Sequence, residues 1–276
     1  MEFAKVTALL KATTLEAAVL TGRLALYPSG IVPERLAPAP TEDGPVSLAG
    51  DGGRPVVLLH GFVDNRSVFL LLRRALARHG RHSVVSLDYS PLTCDLRTAA
   101  EALGPRIEAV LARTGRAEVD LVGHSLGGLI ARYHVQCLGG DARVRTLVTL
   151  GTPHAGTSVA APLADAHPLV RQMRPGSEVL RELAAPAPGC RTRFVSFWSD
   201  LDRIMVPVET ARLDHPDLLV HNVRVSGIGH LALPVHPTVA TGVLTALDAD
   251  GAEADGAGGA DGGLSEGTAE GASSVA

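Results

Sequence analysis

The chain has 276 residues, 46% of them apolar, enough for one large α/β domain or two small ones with a substantial buried core. Its formal charge of −4 is unevenly spread: seven of the 29 acids lie in residues 248–276, which hold no Lys or Arg, leaving 25 basic against 22 acidic residues elsewhere. That balance, with arginines scattered and no aromatic residues between them, excludes a nucleic-acid-binding face, and three cysteines (Cys94, Cys137, Cys190) exclude a disulfide framework while leaving room for one Cys94–Cys190 bridge.

Residues 1–27 contain Val6, Leu9, Leu10, Thr13, Ala17 and Leu20 at near-helical spacing, which predicts an amphipathic helix. Glu16 and Arg23 interrupt the apolar run, so it falls short of the ~20 residues that span a bilayer. The helix is expected to pack on the domain, or alternatively to lie on a membrane surface. No cleavable secretory pattern is evident. These features point to a protein that is cytoplasmic or peripheral to a membrane, with secretion left open.

Residues 28–54 are rich in Pro and Gly and read as a connection, so residues 1–54 form an N-terminal helix plus linker. From 55 to 248 strands and helices alternate. "PVVLLHG" (55–61), "HSVVSLDY" (82–89), "EVDLVGH" (118–124), "VRTLVTLG" (144–151), "RFVSFW" (193–198) and "NVRVSGIG" (222–229) are β-branched apolar runs. Between them fall helices capped by Asp64 or Asn65 and ended by Gly80, running from Asp95 to Thr114, from Leu126 to Leu138, and from Pro237 to Leu247. The alternation predicts βαβ crossovers and a mostly parallel central sheet flanked by helices. Residues 152–190, with six prolines, break the rhythm and read as a lid-like segment. Residues 249–276 are Gly, Ala, Ser and acid, too poor in large apolar residues to offset ordering entropy, and are expected to be disordered.

The chemistry concentrates at Gly123-His124-Ser125-Leu126-Gly127. G-x-S-x-G between a strand and a helix is a nucleophile elbow: the turn is so tight that bulk beside the serine would close it, and glycines keep it open. The alternative is a serine that merely caps the helix. A serine nucleophile needs a base, an orienting acid and two oxyanion donors. In this order of elements the base follows the last strand, which favours His230, in "SGIGH", over His154, His221 and His236. The acid should lie in "SDLDRIMVP". Strand alternation does not separate Asp200 from Asp202; position favours Asp202, since Ser199-Asp200 look like turn residues and Asp202 sits against an apolar stretch. The donors would be the N–H groups of Leu126, after the serine, and Phe62, in "HGF" after the first strand.

On "HGF", "VGHSLGGLIAR", "TLGTPHAGT", "PGSEVLREL", "SDLDRIMVP" and "GIGHLAL", residues 55–237 resemble the α/β-hydrolase family, and more narrowly its bacterial triacylglycerol lipases. The resemblance implies an α/β-hydrolase fold with a lid-like insertion after the sixth strand. It implies Ser125 as nucleophile, Asp202 as acid, His230 as base, and Phe62 and Leu126 at the oxyanion. Hydrolysis of carboxylic esters, acylglycerols among them, would be the activity. Some such lipases bind calcium or zinc, but no segment here carries over those ligands, so neither metal nor cofactor is expected. The expected partner is an ester or lipid, with peripheral membrane contact through residues 1–27. Acyl transfer by the same residues, and a non-catalytic membrane-surface protein, are the alternatives.

Overall fold

The structure, a computed structural model, describes residues 2–31, 53–89, 95–159 and 167–249. Six parallel strands, β1 (Val56–Leu59), β2 (Val84–Leu87), β3 (Val119–His124), β4 (Val144–Leu150), β5 (Arg193–Ser199) and β6 (Leu219–Val225), form one sheet in the order β2-β1-β3-β4-β5-β6. The central strands β1 and β3 are buried along their whole length, which is why they read as unbroken apolar runs and not as alternating ones. All six strands correspond to expected runs. The last begins earlier than expected, at Leu219, and takes in His221.

Helices cover both faces. On one, α3 (Leu96–Thr114), α4 (Leu126–Cys137) and α6 (Glu178–Leu183) pack Leu103, Ile107, Leu129, Tyr133 and Leu183 against Leu121 and Leu147. On the other, α2 (Leu70–Arg78) and α7 (Pro237–Asp248) pack Leu72, Leu76, Val239 and Val243 against Leu58, Val122 and Val148. Each such side chain taken fully out of water stabilises the fold by ~1.5–3 kcal/mol. Asp95 caps α3 by accepting from the Thr98 N–H, and Gly115, at φ 65°, ends it. Asn65, not Asp64, caps the turn that leads into α2, accepting from the Ser67 N–H.

The N-terminal helix is long, α1 (Glu2–Ile31), and it packs on the domain beside the turn at Arg66–Phe69. No helix among the described residues is long and apolar enough to cross a membrane. The segment after β4 carries two short helices, α5 (Pro168–Gln172) and α6. It follows the fourth strand of the described chain, not a sixth, because the described stretch before β1 is helical and adds no strands ahead of it. Cys94 and residues 250–276 lie outside the described residues, and with them the Cys94–Cys190 bridge and the expected disordered tail.

The chain leaves β1 toward β2 on one side and returns to β3 on the other. The carboxyl ends of β1 and β3 therefore flank the point where strand order reverses, the crevice in which open α/β sheets place their ligands.

Candidate active site

Ser125 is the first residue beyond β3 and stands at φ 54°, ψ −122°, a backbone region that non-glycine residues adopt only when the surroundings enforce it. The enforcement is visible on both sides. The Ser125 N–H donates to the Leu150 carbonyl at 2.9 Å, and the Ser125 carbonyl accepts from Gly128 N–H and Thr152 Oγ1, both at 3.0 Å. A β-carbon at Gly123 would lie 2.5 Å from the Gly128 backbone, and one at Gly127 would lie 2.3 Å from the Leu59 carbonyl oxygen. The turn can close only with glycine at both places. The Ser125 side chain makes no capping hydrogen bond to α4, so the cap alternative lacks its defining contact.

The structure brings His230 and Asp202 together and leaves Asp200 apart. His230 Nδ1 donates to Asp202 Oδ2 at 2.7 Å, with both side chains buried. Asp202 is held from behind: its Oδ1 accepts the N–H groups of Ile204 at 2.9 Å and Met205 at 3.0 Å. Burial raises the Asp202 carboxyl, but the His230 charge, its hydrogen bond and those two N–H groups together outweigh burial and hold it below the ordinary carboxylate range. Asp200 instead pairs with Arg224 at 2.9 Å and accepts from the Gly227 N–H at 3.3 Å. The other histidines are occupied elsewhere. His154 is buried against Thr149 (3.0 Å) and Arg132, His236 caps α7, and His221 is exposed on β6.

Gly61 and Phe62 follow β1 after His60. A β-carbon at Gly61 would meet Asp64, His124 and Ser125 at 3.1–3.2 Å, so this loop lies against the serine because it has no side chain there. Leu126 opens α4; its side chain is buried in the core, while its N–H is among the four at the helix start that have no partner within the helix.

Ser125 and His230 open onto one cavity of ≈ 230 Å³. Its walls are mainly apolar: Phe62, Val159, Ile204 and Met205, with Val170 and Met173 contributed by α5 and the residue that follows it. The segment expected to be a lid thus supplies part of the wall. Among the described residues, no group of three or more His, Cys, Asp or Glu is arranged to hold a metal ion.

Residues outside the expected catalytic set complete the surroundings. His124, next to the serine, donates through Nε2 to the His230 carbonyl at 3.2 Å, and the two rings lie 4.8 Å apart. Its Nδ1 is 3.7 Å from Asp64 Oδ2. Desolvation dominates, and His124 is pushed down to about 4 despite that carboxylate. Asp64 in turn receives Arg23 of α1 at 2.8 and 2.9 Å. Burial raises the Asp64 carboxyl, but His124 and Arg23 outweigh it and bring it below its usual value. No local pattern identifies these partners, since their meeting depends on contacts between elements distant in the chain.

Comparison with known proteins adds three kinds of likeness. The family model described as a domain of unknown function (DUF7379) matches residues 33–174. Triacylglycerol lipases of Pseudarthrobacter phenanthrenivorans and Burkholderia plantarii are each 32% identical over 114 residues, and one of Vibrio cholerae is 30% identical over 135. The matches cover 38%, 38% and 47% of this chain, but only 35%, 31% and 40% of those relatives' own length. Among solved structures, lipase B of Aspergillus fumigatus matches with a TM-score of 0.64 at 19% identity, covering 76% of this chain and 55% of that one. MGS-MChE2, an α/β hydrolase from a lagoon-sediment metagenome, matches with a TM-score of 0.51 at 21% identity, covering 72% and 92%. Likeness at these identities is one of fold: the chain has the α/β-hydrolase fold.

Proposed function

The chain belongs to the family of the domain of unknown function DUF7379, and from that premise we propose that it is a serine hydrolase of carboxylic esters, with acylglycerols as its substrate class. The reading rests above all on one observation: the 2.7 Å hydrogen bond from His230 Nδ1 to a buried Asp202, at the edge of the cavity that His230 shares with Ser125.

With Nδ1–H committed to Asp202, the tautomer is fixed and the other ring nitrogen, Nε2, carries the free lone pair. In the proposed reaction Nε2 takes the proton of Ser125 Oγ as that oxygen attacks the ester carbonyl carbon. The carbonyl oxygen becomes an oxyanion and accepts from the N–H groups of Phe62 and Leu126. The resulting imidazolium is stabilised by the Asp202 carboxylate, which stays ionised. Collapse of the tetrahedral intermediate breaks the bond to the alcohol oxygen, which leaves with the proton from His230. Water then attacks the acyl-Ser125 ester with His230 again as base, releasing the acid and restoring the serine.

The apolar wall from Phe62, Val159, Val170, Met173 and Ile204 supports an acyl chain as the group bound there. The three lipase relatives, matched over part of their length, support a lipid ester as the substrate. Leu20, Leu24 and Tyr27 are exposed on α1 and support peripheral contact with a lipid surface. A series of p-nitrophenyl esters from acetate to palmitate, run with wild type and Ser125→Ala, tests the reading. Turnover rising with acyl length and lost by several orders of magnitude in Ser125→Ala is expected. A variant that keeps a tenth of wild-type turnover would exclude Ser125 as the nucleophile.

A further inference from the structure

The loop that carries His230 lies between β6 and α7 and belongs to neither, so the strand and helix ladders do not pair the Leu231 N–H and carbonyl or the Ala232 N–H. Side chains of α1 partner these three groups. Glu16 Oε2 accepts the Leu231 N–H at 3.1 Å and its Oε1 accepts the Ala232 N–H at 2.9 Å. Arg23 Nη2 donates to the Leu231 carbonyl at 2.7 Å. Three consecutive polar groups of the loop, immediately after His230, are thus held by two residues more than 200 positions away in sequence.

The same face of α1 holds a second loop. Arg23 Nη1 reaches both carboxylate oxygens of Asp64, and Asn65 Nδ2 donates to the Tyr27 carbonyl at 2.9 Å. Gly30 lies so close to Asn65 that a β-carbon there would come within 2.0 Å of its side-chain oxygen. Glu16, Arg23 and Gly30 are seven residues apart, which is close to two helical turns, so the three form one line along the helix. Of residues 13–30 only Arg23 and Gly30 are buried. A helix held by hydrophobic packing alone would bury a wider apolar stripe. This one packs only Leu15 and Val19 against the core and adds charged contacts onto two loops, and a charge taken out of water costs free energy unless its partners are well placed.

Those two loops are the ones that carry Phe62 and His230. We propose that Glu16 and Arg23 are positioning residues: through them α1 ties the loop of His230 to the loop of Phe62 and sets the geometry of base and oxyanion donor about Ser125. The proposal rests on the serine-hydrolase reading. It also accounts for Gly229, whose β-carbon would come within 2.4 Å of the Glu16 carboxyl carbon. Position 229 has room for no side chain while Glu16 is in place.

A displacement of about 1 Å in a catalytic group can cost about a hundredfold in rate. Glu16→Ala and Arg23→Met are therefore expected to lower kcat on a soluble short-chain ester by about tenfold to a hundredfold, with KM within about twofold. Gly229→Ala, which pushes on Glu16 without altering α1, is expected to lower kcat in the same way. Glu16→Gln keeps one carbonyl acceptor and should recover part of the loss. It also carries the test if Glu16→Ala does not fold, and the single Trp198 reports folding by its fluorescence. Loss of structure alone would not reproduce the next result. In an Asp202→Asn background His230 has already lost its orientation, so Glu16→Ala should then cost little more. Wild-type kcat in Glu16→Ala and Gly229→Ala, or losses that simply add to that of Asp202→Asn, would overturn the proposal. If Ser125→Ala itself is active, it is the hydrolase reading that fails. If Ser125→Ala is inactive while the Glu16 and Gly229 variants match wild type, only the positioning role fails.

Discussion

Acid should destabilise this fold well above the pH at which its carboxylates protonate, and His124 offers the clearest measure. Its ring is 1% exposed, wedged between Asp64 and the His230 carbonyl, and burial brings it down to about 4. In the unfolded chain the same ring takes up a proton near 6.5. Between those values the unfolded state binds more protons than the native one, so stability rises with pH across the window. It is lost as pH falls from about 6.5 to about 4. At 1.36 kcal/mol for each pH unit, the displacement is worth about 3 kcal/mol at pH 4. Asp202 does not confuse the measurement. Its folded value is depressed, so the stability it contributes is present above its unfolded value of 3.8 and is lost only below that.

The experiment compares wild type with His124→Gln by urea unfolding, followed through Trp198, at pH 7 and pH 4. The variant cannot take up a proton at this site in either state. Its stability relative to wild type should therefore improve by about 3 kcal/mol between the two pH values, whatever the substitution costs at pH 7. A difference between the two proteins that does not change with pH would refute the reasoning, since it would mean that His124 titrates alike folded and unfolded. His60, His134 and His154, each lowered by burial in the same sense, should still leave His124→Gln somewhat acid-labile.

Two further outcomes follow from the site. Asp202→Asn should cost about 10⁴ in kcat by releasing the His230 tautomer, while Asp200→Asn should cost tenfold at most, measured on a soluble ester; the opposite order would assign the acid to Asp200. Gly127→Ala should destabilise the fold by about 3 kcal/mol or more, because its β-carbon meets the fixed Leu59 backbone and not a movable side chain; a urea midpoint equal to wild type would show that the elbow can relax.

Much of this was legible in the sequence because it is local. The six strands are apolar runs, the caps at Asn65 and Asp95 are short polar residues in front of helices, and the elbow shows its glycines in five consecutive positions. The proximity of Asp202 to His230 was reachable too, since chain order limits where an acid and a base can emerge from a parallel sheet. Even so, alternation put Asp200 and Asp202 on one face. What parts them is the turn at Ser199–Asp202, after which the Ile204 and Met205 N–H groups take hold of one carboxylate and Arg224 of the other.

That α1 packs on the domain was legible in the sequence, but the part Glu16 and Arg23 play in it was not, for the same physical reason. Along the isolated helix, Glu16 and Arg23 are interruptions, and a periodicity argument discounts them because charges weaken an apolar face. Against the folded domain they are the residues that dock it, since the two loops they meet present backbone N–H groups, a carbonyl and a carboxylate in place of apolar surface. The sign of a residue's contribution is set by its partner, and these partners come from the ends of β1 and β6, brought side by side only once the sheet has formed. The apolar residues left exposed on α1, Leu20 and Leu24, are correspondingly ones that the domain does not use. The helix thus turns Glu16 and Arg23 inward beside the half-buried Leu15 and Val19, with Leu20 and Leu24 outward, an arrangement that leaves apolar surface exposed. It is what a helix would need if it held a catalytic loop on one side and met a lipid surface with the other.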